Sequence, residues 1–440
     1  MKLIIGNVLS EEYGFDVNGL TPEAMVSERS GSFQSLWSAR DGDIVLLPVH
    51  PDKELLAYIT GLTRVDPLSL KFVIPPAKTG GEYVLTRERL LDPEFLSTMR
   101  KLLSDQTVDE IFALSDSTVA HFASELGIAE AMPGHALFAQ GGATLVNSKA
   151  AFRAIGAGAS IPIPDGGVFS GLHLAVEMVT SFIERGRHVI VKRDLGSGGT
   201  GNIVLTVDSA LVPVGAKRAV TVQGSDDVAG FLENSWDWLT GGGRRPLVVE
   251  EYFDASIAVF AELLITDSGI RLQSCGEIVS APTVTAQMMP PPELDDAAHA
   301  VLTSSAFRLC EPLSAMGYRG IVGADAILTP DHRILFTECN ARLTGSTLIY
   351  DDIGNGIVGN DRYEQRLLLE RRYWYVRSFT HAIDQLHAAG VAYDQKTRKG
   401  IILSRGYDDF KRMVRFCVVG ESWAEMQNME NALMAVGGGR

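Results

Sequence analysis

The sequence has few of the residues that mark several common classes of protein. Its 440 residues include four cysteines and nine histidines, which form no C-x-x-C or H-x-x-x-H pair, so we expect neither a zinc site nor a disulfide framework. No run of about eighteen apolar residues occurs, which argues against a membrane-spanning helix. Positive charge is also scarce, and the net charge of −15 disfavours nucleic acid or an anionic membrane as the main partner.

The composition that remains is that of an ordinary globular protein, with 46% hydrophobic and 21% charged residues. The chain is too long for a single core, so several structural units are expected. The first residues, MKLIIGNVLSEEYG, reach acidic side chains too early for a secretory signal, which predicts a cytoplasmic protein. The sequence does not decide the oligomeric state, and a homodimer is one candidate.

The first 133 residues alternate short apolar runs with amphipathic stretches. The predicted strands are Leu3–Ile5, Ile44–Leu47, Phe72–Ile74 and Ile111–Leu114. Such alternation predicts a Rossmann-like α/β domain with a parallel sheet covered by helices. No glycine fingerprint follows the first strand, which disfavours a dinucleotide site there.

The clearest motif is a glycine-rich loop between two predicted strands in His188–Asn202, HVIVKRDLGSGGTGN. Lys192 ends the first strand, and the loop that follows contains Gly196, Ser197, Gly198, Gly199, Thr200 and Gly201. Backbone N–H groups of such a loop can point at one anion, and the lysine adds a positive charge, so the pattern favours a polyphosphate ligand. A hairpin that merely turns explains the loop alone equally well. The lysine precedes the glycines and a strand follows them, so the loop is neither a Walker loop nor a Rossmann fingerprint.

A second lysine stands at the start of an alanine-rich predicted helix. Asn147 or Ser148 can cap this helix, which leaves Lys149 in its first turn. A cation is unfavourable at that end of the helix dipole unless a ligand or partner compensates. Taken alone, a solvated lysine is the commoner explanation.

A predicted buried strand, Leu247–Phe253, runs into two glutamates. Its end offers backbone groups that can read an adenine edge, and Glu250 or Glu251 could accept a hydrogen bond from the exocyclic amine. A solvated pair of glutamates is the alternative.

Two carboxylates and an amide are predicted to meet on a hairpin within Gly320–Thr347. Asp325 lies in one apolar strand, while Glu338 and Asn340 end the next and face the same side because side chains alternate along a strand. Oxygen ligands of this kind suit Mg²⁺. A hairpin with polar ends is the alternative, although charged groups in apolar strands are costly without a partner. Arg342 follows on the same side if the strand continues.

Two regions carry no such motif. Val284–Pro292 is predicted to be a long loop. Residues 351–440 form a tail in which Arg371, Arg372, Trp374 and Arg377 could contact a substrate, although packing of the aromatic ring with snorkelling arginines is the commoner explanation.

Taken in this order, the motifs resemble the ATP-grasp superfamily of carboxylate–amine ligases. The resemblance covers about residues 134–350 and rests on Asn147-Ser148-Lys149, Lys192, the loop at 196–201, Glu250-Glu251 before Tyr252, and Asp325 followed by Glu338-Cys339-Asn340. It implies an α/β ATP-grasp fold with four units: an N-terminal pre-ATP-grasp domain (1–133), a lid subdomain (134–255), a core with the metal site (256–350) and a small C-terminal α/β extension (351–440).

The same resemblance implies ATP and Mg²⁺ as cofactors and gives each motif a role. Lys149 and Lys192 would contact phosphates, Ser197, Gly198, Gly199 and Thr200 would close over them, Glu250, Glu251, Tyr252 and Phe253 would line the adenine, and Asp325, Glu338 and Asn340 would hold the metal. Arg342 would stabilise the acyl phosphate or the tetrahedral oxyanion.

The sequence departs from the family pattern at two positions. Ile257 stands where many members have an acidic residue for the ribose, and Asp254 is the nearest substitute. Gly323 stands where the family has an arginine before the first metal ligand, and Arg319 is the nearest catalytic candidate.

More narrowly, the length, the N-terminal domain and the basic-aromatic tail resemble the actinobacterial peptide ligases of the pheganomycin type. That resemblance implies an antibiotic-biosynthesis enzyme that joins a small nonproteinogenic amino-acid-like carboxylate to the amine of a peptide or amino acid through an acyl phosphate. A non-catalytic, ATP-gated binding module and an ATP-grasp kinase or carboxylase are the rivals. The complete metal triad favours catalysis, and the lack of a biotin-type carrier segment weakens the carboxylase alternative.

Overall fold

A computed structural model describes residues 1–15, 19–77, 82–196, 198–359 and 366–436, and its strands form three sheets. The first sheet is parallel, in the order β3-β2-β1-β4, and consists of β1 (Lys2–Ile5), β2 (Ile44–Leu46), β3 (Lys71–Val73) and β4 (Glu110–Phe112). The parallel sheet predicted for the N-terminal domain is therefore confirmed, with boundaries that differ by one or two residues.

Both faces of the first sheet are covered, which explains the unbroken apolar runs of its strands. On β1, Leu3 and Ile5 belong to one hydrophobic core, whereas Ile4 between them belongs to another. All three are at most 1% exposed. A parallel sheet buried on both faces has no need of polar residues at alternate positions.

The second sheet carries the glycine-rich hairpin. Its strands, in the order β5-β9-β6-β7-β8, are β5 (Gly166–Phe169), β6 (His188–Arg193), β7 (Asn202–Thr206), β8 (Arg218–Thr221) and β9 (Leu247–Tyr252). Helices Leu172–Glu184 and Ser225–Thr240 pack on it and enclose a small core of their own. The predicted strand, loop and strand of the glycine motif are present as β6, the loop and β7.

The third sheet is antiparallel and has eight strands in the order β14-β13-β10-β11-β12-β15-β17-β16. They are β10 (Ile257–Thr266), β11 (Gly269–Ser280), β12 (Val284–Met289), β13 (Gly320–Leu328), β14 (Ile334–Asn340), β15 (Leu367–Tyr375), β16 (Gly400–Asp408) and β17 (Met413–Gly420). The loop predicted at Val284–Pro292 is wrong over its first six residues, because pairing with β11 on one side and β15 on the other makes them a central strand. Such pairing outweighs local propensity.

The third sheet also crosses the domain boundary predicted at residue 350. Strands β15, β17 and β16 come from the C-terminal extension and continue the sheet that begins with the strands of the core unit. The extension is therefore built onto the core rather than set apart from it.

Helices connect and cover the three sheets. Among the described residues, the other α-helices are Pro22–Ser32, Lys53–Thr63, Arg87–Leu90, Pro93–Leu103, Ser117–Glu125, His135–Phe138, Gly142–Val146, Lys149–Gly158, Asp296–Ala315, Gly345–Thr347, Phe379–Ala388 and Trp423–Val436. A π-helix spans Leu348–Gly359, and short 3₁₀ helices lie at Glu11–Tyr13, Phe33–Ser38 and Ala129–Ala131. No described helix is both long and apolar enough to span a bilayer.

Candidate functional site

A cavity of about 550 Å³ lies where the three sheets meet. Its wall includes Ile5 from β1, Lys192 from β6 and Asp325 from β13. Further along, Arg372 and Arg405 from the C-terminal strands line the same cavity. Each sheet therefore contributes to one continuous space.

Lys149 is buried and paired rather than solvated. Its helix begins as predicted, with the Ser148 hydroxyl accepting a hydrogen bond from the Ala151 N–H at 3.0 Å. The Lys149 ammonium lies 3.1 Å from Glu338 Oε2, and the residue is 6% exposed. The partner expected for a cation at this end of a helix is therefore a carboxylate that lines the cavity.

Lys192 is held between strands of two different sheets. Its Nζ lies 2.5 Å from Glu250 Oε2 on β9 and donates to the Thr337 carbonyl on β14 at 3.2 Å. Two residues further on, Asp194 accepts hydrogen bonds from the Lys149 and Ala150 N–H groups at 3.1 and 3.0 Å. The segment after β6 thus fixes the start of the helix that carries the first lysine, which keeps the two cations on adjoining elements.

The glycine loop closes the hairpin and packs on a neighbouring segment. Gly198 and Gly199 have φ angles of 63° and 74°, and both line the cavity. A Cβ at Gly199 would lie 2.6 Å from the Gly215 carbonyl oxygen, so only glycine fits there. Thr200 is exposed and is not among the lining residues, and Ser197 lies outside the described residues.

Asp325, Glu338 and Asn340 are adjacent on β13 and β14. Asp325 is in register with Glu338, and Asn340 Nδ2 donates to Asp325 Oδ2 at 2.9 Å and to Glu338 Oε1 at 3.3 Å. Glu338 and Asn340 therefore face the same side, as the alternation predicts. Within the described ranges, no group of three or more His, Cys, Asp or Glu side chains is placed to hold a metal. The third potential ligand at this site is an amide, that of Asn340, beside the two carboxylates.

The pKa values of the two carboxylates are shifted in opposite directions. Burial and the neighbouring Glu338 charge raise the pKa of Asp325 well above its usual value. Burial would also raise the pKa of Glu338, but Lys149 and Lys192 lower it to about 2. A divalent cation would favour the charged form of Asp325, and rotation of the Asn340 amide would present its oxygen. The donor set therefore fits Mg²⁺.

The end of β9 meets the cavity, but its first glutamate is already engaged. Glu250 is 1% exposed and pairs with Arg153 at 2.7 Å as well as with Lys192. Glu251 pairs with Arg187 at 3.0 Å. Glu250 is therefore a structural counter-charge, which leaves the backbone and the side chains that follow it to line the pocket.

The next residues of this segment differ in their exposure to the cavity. The Tyr252 hydroxyl accepts a hydrogen bond from the Val214 N–H at 2.8 Å, and Phe253 stacks under the Arg333 guanidinium at 5.4 Å. Both aromatic residues line the cavity, whereas Asp254 is exposed and is not among the lining residues. The structure therefore does not support Asp254 as a substitute ribose ligand.

The two arginine candidates lie in different places. Strand β14 ends at Asn340, so Arg342 is in the loop beyond it, where its guanidinium stands 5.8 Å from the Tyr13 ring centroid and lines the cavity. Arg319 precedes β13 and pairs with Asp267 at 2.6 Å, and it does not line the cavity. Arg319 is close to Asp325 in sequence but not at the site, because it precedes the first residue of β13 and lies away from the part of the strand that faces the cavity.

The sequence motifs did not identify two residues next to the site, Arg153 and Glu262, although each stands in a recognisable sequence pattern. Arg153 follows Lys149 by four residues, so it lies on the same helix face. Glu262 interrupts the apolar run of β10, and its buried carboxylate accepts hydrogen bonds from the hydroxyls of Thr344, Ser346 and Thr347. Burial raises its pKa to about 7. Glu262 thereby anchors the loop that carries Arg342.

Comparison with known proteins assigns the fold. Residues 32–128 match the pre-ATP-grasp domain family, and residues 381–433 match the family described as PGM1 C-terminal domain. No curated protein sequence matches the chain.

Solved structures of ATP-grasp enzymes resemble the whole chain at low identity. The biotin carboxylase domain of Hydrogenobacter thermophilus 2-oxoglutarate carboxylase, crystallised with MgADP, ADP and bicarbonate, has a TM-score of 0.58 and 14% identity over 98% of this chain and 89% of its own. Aspergillus clavatus carboxyaminoimidazole ribonucleotide synthase, complexed with ATP, has a TM-score of 0.54 and 13% identity over 91% and 98%. Campylobacter jejuni biotin carboxylase has values of 0.56 and 14% over 97% and 88%. The chain therefore has the ATP-grasp fold.

Proposed function

We propose that the protein is an ATP- and Mg²⁺-dependent ligase that activates a carboxylate and joins it to an amine. One observation carries this proposal. Buried Lys149 pairs with Glu338, while Lys192 and the glycine loop line the same cavity as Asp325, Glu338 and Asn340. Cations, backbone N–H groups and oxygen ligands are the parts needed to bind a triphosphate with its metal. The nucleotides in related crystal structures support the same assignment.

Each element of the site has a role in this proposal. Lys149 and Lys192 would bind phosphate oxygens, with Gly198 and Gly199 covering them, and the backbone after Glu250 would receive the adenine. Asp325, Glu338 and Asn340 would hold Mg²⁺, which supplies positive charge to the transferred phosphoryl group. Lys149 and Lys192, which pair with Glu338 and Glu250 in this structure, would then bind phosphate oxygens instead.

A carboxylate does not acylate an amine directly, because its oxygen is a poor leaving group, and phosphorylation by ATP replaces it with phosphate. A carboxylate oxygen attacks the γ-phosphorus of ATP, the bond from that phosphorus to the β-bridging oxygen breaks, and ADP leaves. The amine nitrogen then attacks the acyl carbon, the bond to the phosphate oxygen breaks, and the amine loses a proton. Arg342, beside the metal ligands, would stabilise the negative charge that develops on the acyl oxygen.

At a finer level, we propose a peptide ligase of the pheganomycin type. The acid would be a small amino-acid-like carboxylate, and the amine would belong to a peptide or amino acid. The wall of the cavity also includes Ser32, Gln34 and Arg372, so the space extends past the metal ligands and provides room for two substrates. The family match in residues 381–433 lies in the tail on which this resemblance rests.

A carboxylase is the second candidate, because one structural relative was crystallised with bicarbonate. Bicarbonate is itself a carboxylate that ATP can activate, so the same site would serve. Bicarbonate-dependent ADP formation without an added acid would favour this alternative.

Phosphate release tests the proposal directly. Purified protein is incubated with MgATP and panels of carboxylic acids and amines, and condensed products are identified by mass spectrometry. We expect release that requires both an acid and an amine, with a product lighter than the sum of the two by one water. Release with bicarbonate alone, or nucleotide binding with no release in any combination, would contradict the ligase assignment.

Substitutions test the site residues. Lys192→Ala and Glu338→Ala should abolish turnover, since each removes a charge at the phosphate and metal site. Cys339→Ala is the matched control, because Cys339 lies next to Glu338 but packs in the hydrophobic core, and it should keep most of the activity. Full activity of either charge variant would remove the site assignment.

A further inference from the structure

A row of three arginines lies in the cavity beyond the metal ligands. Arg372, Arg405 and Arg415 come from β15, β16 and β17, which are neighbours in the third sheet, and all three line the cavity. Arg405 and Arg415 are paired directly across their strands. Arg371 is opposite Phe416 on β17, so Arg372 lies next to Arg415 at the start of a bulge in β15. Like charges in such positions repel one another.

Few partners balance this row. Arg372 Nε lies 3.7 Å from Glu370 Oε2, while neither of the other two guanidinium groups forms an ion pair with a carboxylate among the described residues. Arg405 donates to the Ser30 hydroxyl at 3.0 Å and to the Ser27 carbonyl at 3.3 Å. The Nε atoms of Arg372 and Arg415 are buried without a hydrogen-bond partner in the part of the chain that the structure describes.

The buried charge is costly as it stands. Burial, and then the neighbouring Arg415, lower the pKa of Arg405 to about 9 despite the attraction of Glu28 and Asp408. Burial also lowers the pKa of Arg372, with Arg415 acting in the same direction and Glu370 against it. An anion between these groups would relieve the repulsion and supply acceptors for the free donors.

A helix of the N-terminal domain leaves room for one arginine to reach the cavity. A Cβ at Gly31, in the helix Pro22–Ser32, would lie 2.6 Å from the NH2 atom of Arg405. The missing side chain lets that guanidinium lie against the helix. The row is therefore accommodated by the N-terminal domain as well as by its own strands.

The row lies near the loop that follows the metal ligands. A Cβ at Gly345 would lie 3.3 Å from the NH2 atom of Arg372, and Gly345 follows Thr344, which packs near Gly323 and Asn340. Arg415 and Arg405 come from the next two strands of the sheet. An anion held by the row would therefore contact residues other than those assigned to the phosphate and the metal, within the same cavity.

We propose that Arg372, Arg405 and Arg415 bind a carboxylate of a substrate, distinct from the carboxylate that is activated. Guanidinium groups recognise carboxylates through paired hydrogen bonds, which makes carboxylate the fitting anion. This inference rests on the proposed ligase function and extends it to the substrate: either the amine substrate is a peptide with a free C-terminus, or the acid substrate has a second carboxylate.

Binding measurements distinguish these two sources without requiring turnover. Calorimetric titrations of the full chain with Mg²⁺ and ADP would use trialanine against trialanine amide, and glutarate against its monoamide. In one of the two pairs, the form that keeps the extra carboxylate should bind at least about 10-fold more tightly than its amide. The pair that shows the preference identifies the substrate that carries the carboxylate. Equal binding within both pairs, or no binding of any probe, overturns the proposal.

Variants test whether the row is responsible. Arg415→Met should remove the preference and Arg405→Met should reduce it, whereas Arg415→Lys should keep part of it. The matched control is Arg371→Met, because Arg371 lies on the same strand but pairs with Glu430 at 2.6 Å away from the cavity. Thermal melting confirms that each variant is folded. A preference that survives in both Met variants of the row would refute the assignment, whereas an intact preference in a protein without turnover would refute only the ligase function.

Discussion

Glu250 is the buried carboxylate that two cations share, so replacing it tests the electrostatics of the site. Its Oε1 lies 2.7 Å from Arg153 NH1 and its Oε2 lies 2.5 Å from Lys192 Nζ, and the side chain is 1% exposed. Glu250→Gln keeps the shape and removes the charge. Both cations would then be left buried without their counter-charge.

The structure sets the expected size of the effect. Removing one partner of a buried ion pair costs about 3–5 kcal/mol, because the other charge stays desolvated. Arg153→Met should cost a similar amount, since the Arg153 side chain is 9% exposed. The double variant should lose less than the sum by at least about 1.5 kcal/mol, because neither partner is then left alone.

Native-state hydrogen exchange at the amides of β6 and β9 measures these local free energies of unfolding. Arg100 and Glu125 supply the control, since their atoms are 2.9 Å apart but the side chains are 49% and 56% exposed. A double-mutant cycle on Arg100 and Glu125 should give a coupling energy of less than about 1 kcal/mol. A coupling at Glu250 no larger than that of the exposed pair would show that burial does not govern this site.

Three further predictions concern other parts of the cavity. Gly199→Ala should raise the KM for ATP at least about 10-fold with little change in melting temperature, because the added Cβ displaces the loop at a position with positive φ; an unchanged KM would exclude a role for the loop. Gly31→Ala should keep the protein folded but weaken the carboxylate preference, since Arg405 must shift; calorimetry with the same four probes checks this, and an undiminished preference would contradict it. Burial raises the pKa of Asp352 to about 7, so the folded state holds an extra proton between about pH 4 and 7. The resulting stabilisation is complete below about pH 4 and is lost progressively as the pH rises to 7. Relative to Asp352→Asn, the free energy of unfolding in urea should therefore fall by on the order of 1 kcal/mol per pH unit over that window, and parallel curves for the two proteins would refute the assignment.

Local patterns in the sequence predicted much of the fold and part of the candidate site. The strands of the first sheet were readable because their runs are buried on both faces. Because side chains alternate along a strand, the sequence placed Glu338 and Asn340 on one side of β14, and the hydrogen bonds of Asn340 confirm this. The cap at Ser148 likewise placed Lys149 at the start of its helix. These features depend on residues close together in the chain.

What the sequence did not reveal depends on pairing between distant segments. Strand β12 was predicted as a loop because its neighbours, β11 and β15, are fixed only when the sheet forms. The arginine row is invisible for the same reason, since Arg405 and Arg415 become opposite only through the register of β16 and β17. Arg319 was selected for its nearness in sequence to Asp325, although the strand between them separates the two side chains.

The continuity of the third sheet limits how the protein can be shortened. A chain that ended near residue 359 would retain the glycine loop and the metal ligands, but β12 would lose β15, its partner at residues 286–289. The hydrogen-bonding groups along that side of β12 would then be open to pairing with other chains, which favours aggregation. The smallest soluble fragment with nucleotide-binding activity therefore has to include the last three strands, even though they contribute none of the nucleotide or metal ligands assigned here.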